Sequence, residues 1–175
     1  MNRAVGVETA HEAEVVDALG DVREESGDVA AALRVGVDAL SVSLDDAAFA
    51  ALLAGRSTPI KVLLLDQRRL AGVGNIYACE ALFRAGIRPR RRSGRLTARQ
   101  RGRLLKSMRR VLEKAIELRG SSVDDYVDSE GLQGSFQKLL SVYGRAGLPC
   151  RRCRTPIKRI VLAQRGTFYC PACQQ

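Results

Sequence analysis

A mainly α-helical fold closed by a small C-terminal β-hairpin is the class this sequence predicts. Three observations carry the prediction. Apolar residues recur at spacings of three and four through the middle of the chain. Helix-capping residues and glycines bracket those runs. Two Cys-x-x-Cys pairs then stand 16 residues apart near the end of the 175-residue chain.

In chain order, residues 1–35 read as an acidic, Ala/Val-rich arm of weak periodicity, with a helical stretch around 12–19. A helical unit is expected over 36–145 and a cysteine module over 146–175. Ser43 with Asp46 predicts an N-cap and an acidic first turn, and Gly55 a stop. Pro59 suits the start of a second helix running to Leu65. Residues 71–75 form a glycine-punctuated turn, followed by a helix over 76–84 that Gly86 ends. The run 88–92, with Pro89 inside it, is a basic connection. Thr97 and Gln100 make a capping box for the longest helix, which ends at Gly120. Its apolar stripe is Leu104, Met108, Val111, Ala115 and Leu118, and its other side carries Arg101, Arg103, Lys106, Arg109, Arg110 and Lys114. Most of those bases are expected on a solvated face. A short helix over 136–142 precedes the cysteines.

Charge narrows the function. Lys and Arg number 29 against 19 acids, a net of +10, and the excess is uneven. Residues 1–35 carry −5, so residues 36–175 carry +15. A compact unit that basic repels itself, which makes a polyanion its natural partner. No apolar run reaches the roughly 18–20 residues that cross a bilayer, and the acidic start lacks the apolar core of a signal peptide. A cytoplasmic address and no membrane partner are the expectations.

The cysteines carry the strongest local signal. Cys150 and Cys153 form one knuckle and Cys170 and Cys173 the other. Zinc takes four thiolates in a tetrahedron at about 2.3 Å, and each pair supplies half of it. The stretch 156–169 alternates apolar with polar residues and turns near 164–166, so a hairpin can bring the knuckles together. A cytosolic chain disfavours the alternative of disulfides. With all four positions filled by Cys, the expected zinc is structural. Cys79, on the 76–84 helix, reads as a buried, inert thiol, and His11 receives no role.

Several stretches together resemble one family. Pro59-Ile60-Lys61, Leu63-Leu64-Leu65-Asp66-Gln67 and Gly72-Val73-Gly74-Asn75-Ile76-Tyr77-Ala78 look like the helix–two-turn–helix element of formamidopyrimidine-DNA glycosylases. Phe136-Gln137, Val142-Tyr143-Gly144-Arg145 and Pro149-Cys150 are similar to that family's approach to its zinc finger. Ala163-Gln164-Arg165-Gly166-Thr167-Phe168-Tyr169-Cys170 is similar to the finger's second half. The likeness runs from Gly36 to the last residue. It implies a helix–two-turn–helix DNA-binding domain with a zinc finger, acting as a monomer on damaged or abasic double-stranded DNA, nucleoid-associated in a bacterium. It implies that Asn75, beside Gly74, grips the backbone at the lesion. Arg165 would clamp a neighbouring phosphate and assist, as proton donor, the second strand-cleavage step. Lys61 and Arg56 would be further backbone contacts, although Ser57 stands where a second base usually follows Arg56. Residues 123–136 resemble the loop that covers an extruded base.

The start of the chain departs from that pattern. Members begin with a proline after the initiator methionine and then a glutamate, the nucleophilic amine and the proton shuttle of a glycosylase and lyase. Asn2 and Arg3 stand there instead, and neither can do that chemistry. Val7-Glu8-Thr9 resembles a family tripeptide in register, but the sandwich domain that should follow has no counterpart. The expectation is DNA recognition without base excision. Two alternatives stand beside it: an active bifunctional glycosylase and lyase using another amine, and a structural zinc module that binds RNA or protein.

Overall fold

Helices begin and end at identifiable caps in a computed structural model that describes residues 35–120 and 135–175. The stretches 12–19 and 7–9, the positions Asn2, Arg3 and His11, and nearly all of the 123–136 loop lie outside the described residues.

Strand β1 (Val37–Asp38) pairs in parallel with β2 (Leu70–Ala71), Val37 opposite Leu70. No periodic run announced this two-residue ladder. Helix α1 (Asp46–Leu53) is capped by Asp45, whose Oδ1 accepts from Ala48 N–H at 2.7 Å. Ser43, the expected cap, instead pairs its hydroxyl with Ser41 at 2.8 Å, because it lies two residues too early to reach an N3 amide. Gly55 follows the helix at φ +67°, in the left-handed region that favours glycine.

Helix α2 (Ile60–Leu64) starts at Pro59, which has no amide to leave unpaired. The next two amides find partners in the basic connection: Ile60 N–H donates to Arg91 O (2.8 Å) and Lys61 N–H to Pro89 O (3.3 Å). The run 88–92 is thus a structural brace as well as a source of charge. Helix α3 (Asn75–Ala85) ends at Gly86, φ +71°, with Ile87 N–H returning to Leu82 O in a Schellman-type closure. Helix α4 (Ala98–Glu117) carries the complete Thr97/Gln100 capping box. Its buried stripe is Leu104, Met108, Val111 and Ala115 as expected, widened by Leu105 and Leu112, while Leu118 is half-buried. Among the described residues no helix is long and apolar enough to cross a membrane.

After a 3-10 turn at Phe136–Leu139, the chain enters the antiparallel hairpin of β3 (Lys158–Leu162) and β4 (Arg165–Tyr169). Its two-residue turn is Ala163–Gln164, both at positive φ (46° and 58°), the geometry that matches strand twist. Two hydrophobic clusters form. One fills the space between α1, α2, α3 and α4; the other joins Cys79 and Phe83 of α3 to Val142, Ile157 and the knuckle cysteines. Helix α3 therefore belongs to both.

Candidate nucleic-acid interface and metal centre

The turn between α2 and α3 is held by one side chain. Gln67 Nε2 donates to Val73 O (3.1 Å), and its Oε1 accepts from Gly72 N–H (3.1 Å). That clamp fixes Gly72 at φ +84° and delivers Gly74 as the N-cap of α3. Gly74 offers no side-chain cap, so the first amides of α3 point outward with the positive end of the helix dipole behind them. Such an end takes an anion.

Asn75 is the first helical residue rather than the cap. Its Oδ1 accepts from Lys61 Nζ at 2.6 Å, and its Nδ2 donates to Gly166 O at 3.1 Å. The amide's orientation follows: oxygen toward the lysine, nitrogen toward the hairpin, one N–H left for a ligand. Arg165 opens β4 opposite Leu162, directly after the turn, so it projects from a rigid rung.

Arg56, Gly74, Asn75 and Arg165 all line one cleft of about 570 Å³, together with Thr58, Asp66 and Arg69. Lys61 does not. It is fully buried behind Asn75, and its ammonium also lies 3.4 Å from Gly166 O. Its ammonium is thus engaged with the groups that form the cleft wall and does not itself line the cleft. Burial pulls its ammonium below the ordinary 10.5; Cys79 works against this and Arg165 adds to it. Cys79 is buried beside it, and burial raises its thiol above the ordinary 9.0.

The four knuckle sulfurs lie within 4.8 Å of one another. Cys150 and Cys173 are 3.9 Å apart and Cys153 and Cys170 3.4 Å, close to the roughly 3.8 Å edge of a tetrahedron with 2.3 Å arms. Within each knuckle an amide donates to a sulfur: Arg152 N–H to Cys150 and Cys173 N–H to Cys170, each at 3.4 Å. Thiols this close cannot all ionise without a cation. Hydrogen bonds from Thr155 draw Cys153 down to about 6, while burial and the other sulfurs push Cys173 up to about 12. The donor set, the distances and the amide bonds fit one structural zinc.

Three further residues tie this centre to the helices, and the sequence reading missed them. Glu80, buried on α3, accepts from three successive amides, Ser141, Val142 and Tyr143, at 2.8–3.0 Å. Gln174, also buried, accepts from Cys170 N–H and donates to Ile87 O. Arg152 lies over the Phe83 ring at 4.3 Å and donates to Phe83 O. The signal for Glu80 was present as a carboxylate between Cys79 and Ala81 on a helix face otherwise apolar.

Comparison with known proteins extends the geometry. The profile of the formamidopyrimidine-DNA glycosylase H2TH domain matches residues 35–127, and that of the zinc finger found in FPG and IleRS matches residues 147–175. The formamidopyrimidine-DNA glycosylase of Gluconobacter oxydans is 46% identical over 163 residues, covering 92% of this chain and 58% of the relative. That of Moorella thermoacetica is 53% identical over 126 residues, 72% of this chain and 46% of the relative. The crystal structure of the MutM (Fpg) protein of Thermus thermophilus superposes with a TM-score of 0.79 at 47% identity, covering 89% of this chain and 57% of that one. A complex of Lactococcus lactis Fpg with DNA containing an abasic site superposes at 0.75 and 38% identity, covering 81% and 52%. The chain spans about half the length of the curated relatives it matches.

Proposed function

Because the chain belongs to the formamidopyrimidine-DNA glycosylase family, carrying its H2TH domain and zinc finger, we propose that it binds double-stranded DNA at damaged or abasic positions, in base-excision repair. One observation carries this reading. The uncapped end of α3, the oriented Asn75 amide and the Arg165 guanidinium converge on a single cleft, although Asn75 and Arg165 are 90 residues apart in sequence. Backbone amides, an amide N–H and a guanidinium are donors without competing acceptors, the complement of a phosphate. The zinc acts at a distance: it holds the hairpin that aims Arg165. Arg56 borders the same cleft. Its Nε is used on Leu52 O at 2.8 Å, so its two terminal nitrogens are what it can offer a ligand.

We infer recognition without base excision, and among the described residues the buried amine behind the cleft, Lys61, supports that reading. A substitute nucleophile needs an exposed, unprotonated amine. Lys61 is depressed in basicity, as such an amine would be, but its nitrogen is enclosed by Asn75 and Gly166. It is not presented to a sugar carbon.

The test is binding of the full chain to a duplex with a central abasic site, with borohydride trapping in parallel. Asn75→Ala and Arg165→Ala should each weaken binding by about 1–3 kcal/mol, the worth of a hydrogen bond to a charged group. No covalent adduct should form. Unchanged affinity in both variants would remove the cleft as the DNA site, and a trapped adduct would establish lyase chemistry and identify its amine. Tighter binding to structured RNA than to the abasic duplex would favour the RNA alternative.

A further inference from the structure

The cleft is longer than one phosphate. Arg56 and Thr58 precede α2, whereas Asp66 and Arg69 follow it, yet all four border the same space. Five helical residues rise about 7.5 Å, so a cleft bordered from both ends of α2 has length for more than one anion. Three arginines against one aspartate leave the lining with a net charge of +2, one more positive charge than a single phosphodiester neutralises.

Arg69 is built to hold an anion rather than to wander. Its Nε donates to Asp66 Oδ2 at 2.8 Å, while Asp66 Oδ1 accepts from Arg68 N–H at 3.2 Å. The guanidinium is thereby anchored through Nε, and its two terminal nitrogens remain for a ligand. The pair is two-fifths exposed and so within reach of DNA. It also solves a local problem: an unpaired Asp66 in this cleft would repel a phosphate.

Resting on the reading that Asn75 and Arg165 hold one backbone phosphate, we propose that Arg69 holds a second, adjacent phosphate of the same strand. The cleft then grips two successive phosphates along α2, the first at the start of α3 and the hairpin, the second at the far end of α2. Arg69 supplies a strong contact in a chain that has Ser57 beside Arg56.

The experiment titrates the full zinc-loaded chain against an abasic-analogue duplex over a range of salt. It is repeated with duplexes in which one phosphate at a time is a neutral methylphosphonate. Arg69→Gln should bind roughly tenfold more weakly at low salt, with the log–log slope less steep by about 0.9, one phosphate's worth. One methylphosphonate position should weaken wild type but not Arg69→Gln, and it should neighbour the position that loses its effect in Asn75→Ala. The double variant Asp66→Asn/Arg69→Gln should keep the reduced slope. If it regains the wild-type slope, Arg69 merely masks Asp66 and the proposal falls. It also falls if Arg69→Gln keeps the wild-type slope and sensitivity at every position while Asn75→Ala loses affinity. Wild-type behaviour of both Asn75→Ala and Arg69→Gln would instead overturn the site itself.

Discussion

Lys61 is buried behind the cleft with its ammonium on Asn75 Oδ1 and Gly166 O. An ammonium buried with two oxygen partners is poorly solvated, and burial lowers its proton affinity below 10.5. In the unfolded chain no such penalty exists. Charged Lys61 therefore costs stability at neutral pH, and that cost is relieved as pH rises through the folded value toward 10.5. Relative to Lys61→Met, wild type should gain stability over that window in thermal melts taken at increasing pH; parallel curves would mean that the ammonium is not strained. At neutral pH the same variant should bind abasic duplex more weakly, because Asn75 loses the partner that turns its N–H toward the cleft. Wild-type affinity would reduce Lys61 to packing. The resemblance picked out Lys61 through its position after Pro59-Ile60, but its burial was not legible. Burial depends on Gly166, a residue 105 positions away, and no local pattern encodes that contact.

At the scale of elements, the two knuckles and the hairpin are the part that metal decides. An isolated two-stranded hairpin is marginal in water, and here each strand has five residues. Zinc ligation, worth roughly 10–16 kcal/mol in small fingers, more than covers that deficit. Chelation should therefore loosen the hairpin and release Arg165, and DNA binding should fall with zinc content when both are followed in one titration. Cys170→Ser should behave as the chelated protein does. Full binding by metal-free protein would separate the finger from the cleft. These elements were legible because their signals are local: a Cys-x-x-Cys pair, a Thr97/Gln100 box, a glycine at positive φ. The β1–β2 ladder was not, since two residues carry no period, and the first cap was misplaced because Ser43 and Asp45 are both good cap residues. Only the start of the apolar run at Phe49, with Ala48 as the amide donor, distinguishes them.

For the whole molecule, the question is how much of the charge meets DNA. Residues 36–175 carry +15, but the bases of α4 face away from that helix's packed stripe, where Arg103, Lys106, Arg110 and Lys114 are exposed. Three bases on that helix are already engaged: Lys114 pairs with Glu117 at 2.6 Å, Arg109 donates to Ser41 O and Leu44 O, and Arg101 donates to Leu96 O at 2.8 Å. None of these lines the cleft that holds Asn75 and Arg165. Counterion release counts only the phosphates actually neutralised, each contributing about −0.9 to the log–log slope. The slope should thus reflect the few cleft arginines and fall far short of the total charge. The triple variant Arg103→Gln/Lys106→Gln/Arg110→Gln removes three positive charges from the α4 face. Its equilibrium slope on abasic duplex should match wild type, while its association rate falls modestly, because long-range attraction steers encounter without forming contacts. A slope shallower by about 2.7, three phosphates' worth, would mean that α4 lies on the DNA, and that the interface extends well beyond the cleft.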